Sequence, residues 1–271
     1  MRPALPDLHR PAVRRRGQRV LGAAAGLTVV VALVLGLWVA PPDAVQGQAQ
    51  RLMYVHVPAA WTGFLAVGVV ALASAAVLLG GGRFWTSLAR AAGELAVGML
   101  ALAYAEGSIW GHASWGVWWT WDPRLVTTAV LLLTCVGYVA MSTLGTDGRR
   151  GDRRTALVGL LAAAEVPVVH LSVLWWRSIH QPPTLLRPSL SAPIDSRMLL
   201  ALMVAVVAFT LAGAWYVARR MDQQMPSTLT APSTVPEGLA VPLTGDGLTG
   251  PGPVEHPGER AAGPVAEGSA R

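Results

Sequence analysis

The sequence predicts an all-α integral membrane protein with six transmembrane helices, and three observations carry that reading. Of the 271 residues, 53% are apolar and only 13% charged, whereas a soluble domain averages roughly 25% charged. The apolar residues gather into six runs, at residues 20–40, 57–79, 88–110, 125–144, 155–176 and 198–218. Each run has about 20 residues, and at about 1.5 Å rise per residue a helix of that length crosses the roughly 30 Å hydrocarbon core. The third observation is where the charge falls: between the runs.

All 21 basic residues are Arg, against 15 acids, for a net charge of +6. Such a balance indicates nucleic acid only where Arg form a patch interleaved with aromatics or a recognisable fold. Here Arg2, Arg10, Arg14, Arg15, Arg16 and Arg19 precede the first run; Arg83 and Arg90 follow the second, Arg149, Arg150, Arg153 and Arg154 the fourth, and Arg219 and Arg220 the sixth. That places fourteen on one side, and only Arg51, Arg124, Arg177, Arg187 and Arg197 on the other. The positive-inside rule then puts both termini in the cytoplasm.

Residues 1–19 read as a basic cytoplasmic N-terminus and 20–220 as the membrane domain. The first run exceeds a normal signal-peptide core and lacks a clean small-residue cleavage site, so it reads as an uncleaved anchor. Residues 221–271 read as a disordered tail, because eight Pro and eight Gly fall within the last 50 residues with no apolar period. Cys135 is the only cysteine, which excludes an internal disulfide and the C-x-x-C-H site that attaches haem c. With no P-loop, no diagnostic metal-ligand spacing and no Gly-x-Ser-x-Gly elbow, the expectation is a protein that is not an enzyme.

The loop between the third and fourth runs is the unusual one. Five Trp fall in the twelve residues from Trp110 to Trp121, more than an interfacial aromatic belt requires. Trp115, Trp118 and Trp119 are spaced i, i+3, i+4 with Trp121 three beyond Trp118, so a short helix would gather them into an aromatic shelf suited to a large planar ligand. Asp122-Pro123 closes the segment as an N-cap and N1 pair for the fourth helix, and Arg124 stands ready for an anionic group.

Two histidines share this side: His56 at the entrance of the second helix and His180 just past the fifth. Singly, each reads as a polar loop residue. Beside a Trp-rich loop they fit an axial pair for haem iron, since neutral imidazole is a common iron ligand. His112 lies within the Trp segment and His170 within the fifth helix near Glu165, where a structural role is expected; His9 and His256 have the wrong sidedness. Glu94, Glu106 and Glu165 fall in or beside spans, where acids are functional candidates, with pairing to Arg90 or backbone donors as the plain alternative.

These blocks resemble a known family. Residues 53–60, Met-Tyr-Val-His-Val-Pro-Ala-Ala, look like its first histidine motif; residues 115–125, Trp-Gly-Val-Trp-Trp-Thr-Trp-Asp-Pro-Arg-Leu, look like its WWD core; and residues 166–173 with 175–181 look like its second histidine motif. The family is haem exporter protein C, CcmC, of System I cytochrome c maturation, among the haem-handling proteins that carry a WWD domain at residues 110–124. The resemblance implies that His56 and His180 are axial ligands of haem b and that Trp115, Trp118, Trp119, Trp121, Asp122 and Arg124 form its platform, with Arg51, Arg124 or Arg177 facing the propionates. It implies haem presented at the outer face to the haem chaperone CcmE, alongside the ABC-type subunits CcmA and CcmB and the small subunit CcmD. The chain departs from the family at His112, where a lysine is usual, and at Glu106 and Glu165. Pro123 resembles the System II relative CcsA, so delivery to a cytochrome c synthase stands as an alternative, as do a membrane cytochrome b and an ABC-type permease subunit.

Overall fold

The computed structural model describes residues 11–145, 148–180 and 194–225. The expectations for the tail beyond residue 225, for His9 and His256 and for Arg187 lie outside them. Among the described residues six helices alternate up and down: α1 (Pro11–Val34), α2 (Met53–Leu78), α3 (Arg83–Trp115), α4 (Pro123–Leu144), α5 (Arg149–Trp175) and α6 (Ser196–Gln224). A π-helical turn (Leu35–Val39) extends α1, and a 3-10 turn (Gln48–Leu52) leads into α2. All six are long and apolar enough to cross a membrane.

Lipid is as apolar as a leucine side chain, so helices in a bilayer associate through close packing and small residues rather than by escaping water. The bundle shows this directly. Ala66, Ala96, Leu100, Leu131, Cys135, Ala162 and Val169 form its centre, with α2 and α3 as the most extensively packed pair. Many of the large apolar side chains point outward, as at Leu72, Leu133 and Leu157. α1 has α6 as its one substantial helical neighbour and is otherwise the helix most exposed to lipid.

Polar groups sew the ends. At the arginine-rich end Glu94 receives Arg90 at 3.3 Å and the Nε and Nη2 of Arg220, while Arg14 pairs with Asp222 at 2.6 Å. At the other end Arg51 donates to the carbonyls of Gly36 and Ala40, which the close of the π turn leaves free. Within the bundle Thr134 donates to Glu165 at 2.9 Å, so this acid takes a hydroxyl partner rather than an Arg.

The helices outrun the apolar runs that foretold them. α3 continues to Trp115, so Trp110 and His112 are helical, and His56 is the fourth residue of α2 rather than part of a loop. α5 begins at Arg149 and α6 runs to Gln224, so helix continues past the boundary at 221 that the sequence suggests. The cause is that hydropathy marks the hydrocarbon slab, whereas backbone hydrogen bonding carries a helix on into the headgroup region until a cap ends it.

Leu100 is fully buried. Leu100→Ala removes contacts without any compensating transfer from water, so its cost falls near the low end of the about 2–5 kcal/mol measured for buried leucines. Leu144→Ala, at a position 86% exposed, should leave the thermal midpoint in detergent unchanged.

Candidate functional site

Asp122 is only 5% exposed, and it is the most heavily used acceptor among the described residues at this end of the bundle. Its backbone precedes Pro123 at the start of α4, and its Oδ1 accepts from the Arg124 amide at 2.9 Å, the capping bond expected from the sequence. The same carboxylate reaches across to the segment that follows α5. Oδ2 accepts from Ser178 Oγ at 2.7 Å and from the Ile179 amide at 2.8 Å, and Oδ1 stands 2.9 Å from His180 Nδ1. One carboxylate thus gathers residues 58 positions apart in the chain.

Burial opposes ionisation of Asp122, but the bonds from Ser178 and Ile179, the nearby His180 and the Arg124 amide hold its carboxyl below the usual carboxylate range. His180 moves downward as well. Burial is the main cause, with Arg124 and His56 adding to it and Asp122 opposing it. The two directions agree on one state at neutral pH: an aspartate beside a neutral imidazole. Nδ1–H then donates to Asp122 and Nε2 keeps its lone pair, the tautomer that suits a metal-binding histidine with a carboxylate behind it.

His56 is held differently. Its Nδ1 lies 3.1 Å from Glu106 Oε2 across the α2–α3 interface, yet off the line of a proper hydrogen bond, so that Nδ1 and both Glu106 oxygens are buried without a hydrogen-bond partner among the described residues. Glu106 is 8% exposed. The ring comes so close to α3 that a Cβ at Gly107 would stand 2.6 Å from His56 Cε1; only glycine leaves room for it. The edge of Trp110 closes the far side at 5.6 Å, fixed in turn by its indole N–H donating to Gln46 at 3.0 Å.

The Trp segment does not form the short helix its spacing suggests. α3 ends at Gly116, whose φ of 76° is left-handed and therefore suits glycine, and residues 117–122 run without helix to Asp122. Ser108 on α3 pins this stretch by donating to the Trp118 carbonyl at 2.6 Å. The rings spread accordingly. Trp115 sets its edge against His180 at 5.1 Å, Trp118 stacks on His112 at 4.1 Å, and Trp119 lies against Tyr104 and, at 82°, Trp121. Four exposed indoles surround the site, but they do not lie in one flat shelf.

Of the three arginines expected to face anionic groups, Arg51 is taken by backbone carbonyls and the Gln48 side chain. Arg124 donates to the His170 carbonyl at 3.0 Å while its Nε is buried without a partner. Arg177 is exposed. Glu106, Gly107 and Ser178 are the site residues whose roles the sequence left unassigned. Glu106 stood out as an intramembrane acid, but its partner is on another helix and no local spacing points to it.

The fold and site together define a class: six-helix membrane proteins that present two carboxylate-backed imidazoles among exposed indoles at one end of the bundle. Within that class the comparisons are specific. The family model CcmC, heme exporter protein C, matches residues 7–233. The chain is 35% identical over 196 residues to heme exporter protein C of Bradyrhizobium diazoefficiens, covering 71% of this chain and 74% of that protein. It is 33% identical over 207 residues to the Escherichia coli K12 protein of that name, covering 74% and 80%, and 29% identical over 212 residues to that of Haemophilus influenzae, covering 74% and 82%. The chain belongs to the CcmC family.

Losing an N-cap costs about 1 kcal/mol, and Asp122→Ala also strands the donors of Ser178 and Ile179, so its destabilisation should exceed that of a cap alone. The pH dependence has a definite sign. A carboxyl whose folded pKa is depressed stabilises above its unfolded value, 3.8, and loses that contribution as pH falls through the folded value. The gap in thermal midpoint between wild type and Asp122→Asn should therefore be full at neutral pH and narrow as the pH drops below 3.8.

Proposed function

We propose that this protein handles haem in cytochrome c maturation without being an enzyme, holding haem b as cargo at the end of the bundle that carries His56, His180 and the Trp segment. The observation that carries the reading is the paired arrangement of two histidines, each with a buried carboxylate at its Nδ1 side. Haem fits what these residues offer. Imidazole nitrogens bind its iron, exposed Trp faces take its apolar ring, and Arg177 with the unpartnered Nε of Arg124 suits its propionates.

His56 and His180 act as ligands in this reading, and Glu106 and Asp122 orient them and raise their basicity. Trp115, Trp118, Trp119 and Trp121 cover the ring. Holding by two side chains at an open surface, rather than burial, suits a cargo that is passed on. The fourteen-to-five arginine asymmetry supports cytoplasmic termini and a site on the outer face of the bacterial inner membrane. There the haem chaperone CcmE is the recipient, with CcmA, CcmB and CcmD as the membrane and ATPase partners. The names of the relatives support the haem-export context.

The visible spectrum of the detergent-purified protein after haem addition is the direct test. The wild type should show a low-spin bis-imidazole pattern, His56→Ala and His180→Ala should each lose it, and His9→Ala should keep it. Glu106→Gln and Asp122→Asn should retain the ligands but weaken haem affinity by about 10–100-fold, the usual effect of removing a group behind a metal ligand. An unchanged spectrum in both histidine variants would overturn the site.

A further inference from the structure

We propose that the groove between α1 and α6 at the arginine-rich end binds the phosphate headgroup of an anionic phospholipid. The groove is about 510 Å³ and open at the surface of the bundle, with Arg15, Arg19 and Arg219 lining it beside Trp215 and Asp222. Its single acid is already engaged, since Asp222 takes Arg14 at 2.6 Å and the Gln18 amide at 2.6 Å. The three lining guanidiniums make no ion pair with any described residue. Like charges one helical turn apart, as at Arg15 and Arg19, repel, and Arg219 faces them from the next helix. A surplus of positive charge at a membrane interface calls for an anion, and Arg forks grip phosphate well.

Three further features select a lipid over a free ion. α1 is the helix most exposed to lipid, and its apolar flank begins directly below the arginines at Val20 and continues at Leu27, which are 63% and 66% exposed. Trp215 packs its indole edge against Gly22 and carries the Arg219 guanidinium 5.7 Å above its ring, setting an aromatic at headgroup depth. Finally, α1 leans on the bundle chiefly through α6. A phosphate gripped from both helices would fasten the one element that packing holds least. Basic pockets between transmembrane helices are known headgroup sites.

The test uses the full-length protein in neutral detergent, with thermal midpoints read alongside native mass spectrometry. Dioleoyl phosphatidylglycerol should raise the midpoint by about 5 °C at saturation and leave one bound lipid; dioleoyl phosphatidylcholine and inorganic phosphate should do neither. The double variant R15Q/R19Q and the single variant R219Q, which reads the same groove from the other helix, should each abolish the shift, whereas R149Q/R150Q should retain it. An equal shift with inorganic phosphate would replace the lipid by a free anion. A shift that survives in both groove variants, or one absent from the wild type, would overturn the site. None of these outcomes depends on haem, so the two proposals stand or fall separately.

Discussion

The geometry of this end of the bundle depends on one buried carboxylate. Asp122 is placed by the first turn of α4, because a residue before Pro at a helix start has its backbone fixed on both sides. From there its two oxygens satisfy donors on α4 and on the segment leaving α5. The position of His180 is therefore inherited from a helix terminus, the more precise kind of support for a functional group. Every donor bonded to Asp122 makes its ionised state cheaper; that charge pulls His180 toward protonation, and the imidazole stays neutral because its own burial outweighs the pull. The two shifts belong to a single arrangement.

The remainder of the molecule follows from lipid as the solvent. Ala66 and Ala96 with Gly63 let α2 and α3 close on the few large side chains at the centre, such as Leu100, while other leucines, among them Leu72 and Leu133, face outward. Close approach is the consequence that matters for function. It lets Gly107 of α3 come within reach of the His56 ring and brings Glu106 beside Nδ1. A carboxylate at that depth is costly without a partner, and the histidine is what the fold offers it.

Much of this was legible in the sequence. The six spans, the Asp122 cap and the two histidines at one end follow from hydropathy, from the preference of Asp and Pro for helix starts, and from a resemblance carried by three blocks. The failures are local and have physical causes. Helix ends were misplaced because hydropathy stops reporting where the hydrocarbon stops. The Trp helix was wrong because Gly116 terminates α3 in a left-handed turn, and an i, i+3, i+4 spacing means nothing once the backbone is no longer helical. Glu106 was visible as an oddity but not as a partner, since a contact between two helices leaves no trace in the order of residues along either one. Likewise Arg51 read as a candidate for an anionic group, and only the π turn at Leu35–Val39 reveals the carbonyls that occupy it.

The two imidazoles are held by unlike means, and the difference bears on how the site can work. His56 rides on a packed helix, with Gly107 and Trp110 confining its ring, so its freedom is that of the bundle. His180 lies beyond the end of α5, where the helix gives way after Trp175, and Asp122 together with the Trp115 edge holds it in place. A ligand that spans both rings joins a packed helix to a segment held chiefly by the Asp122 bonds. Loosening the Asp122 bonds would weaken the hold on His180 while leaving that on His56 intact. Two histidines anchored alike would lack that inequality.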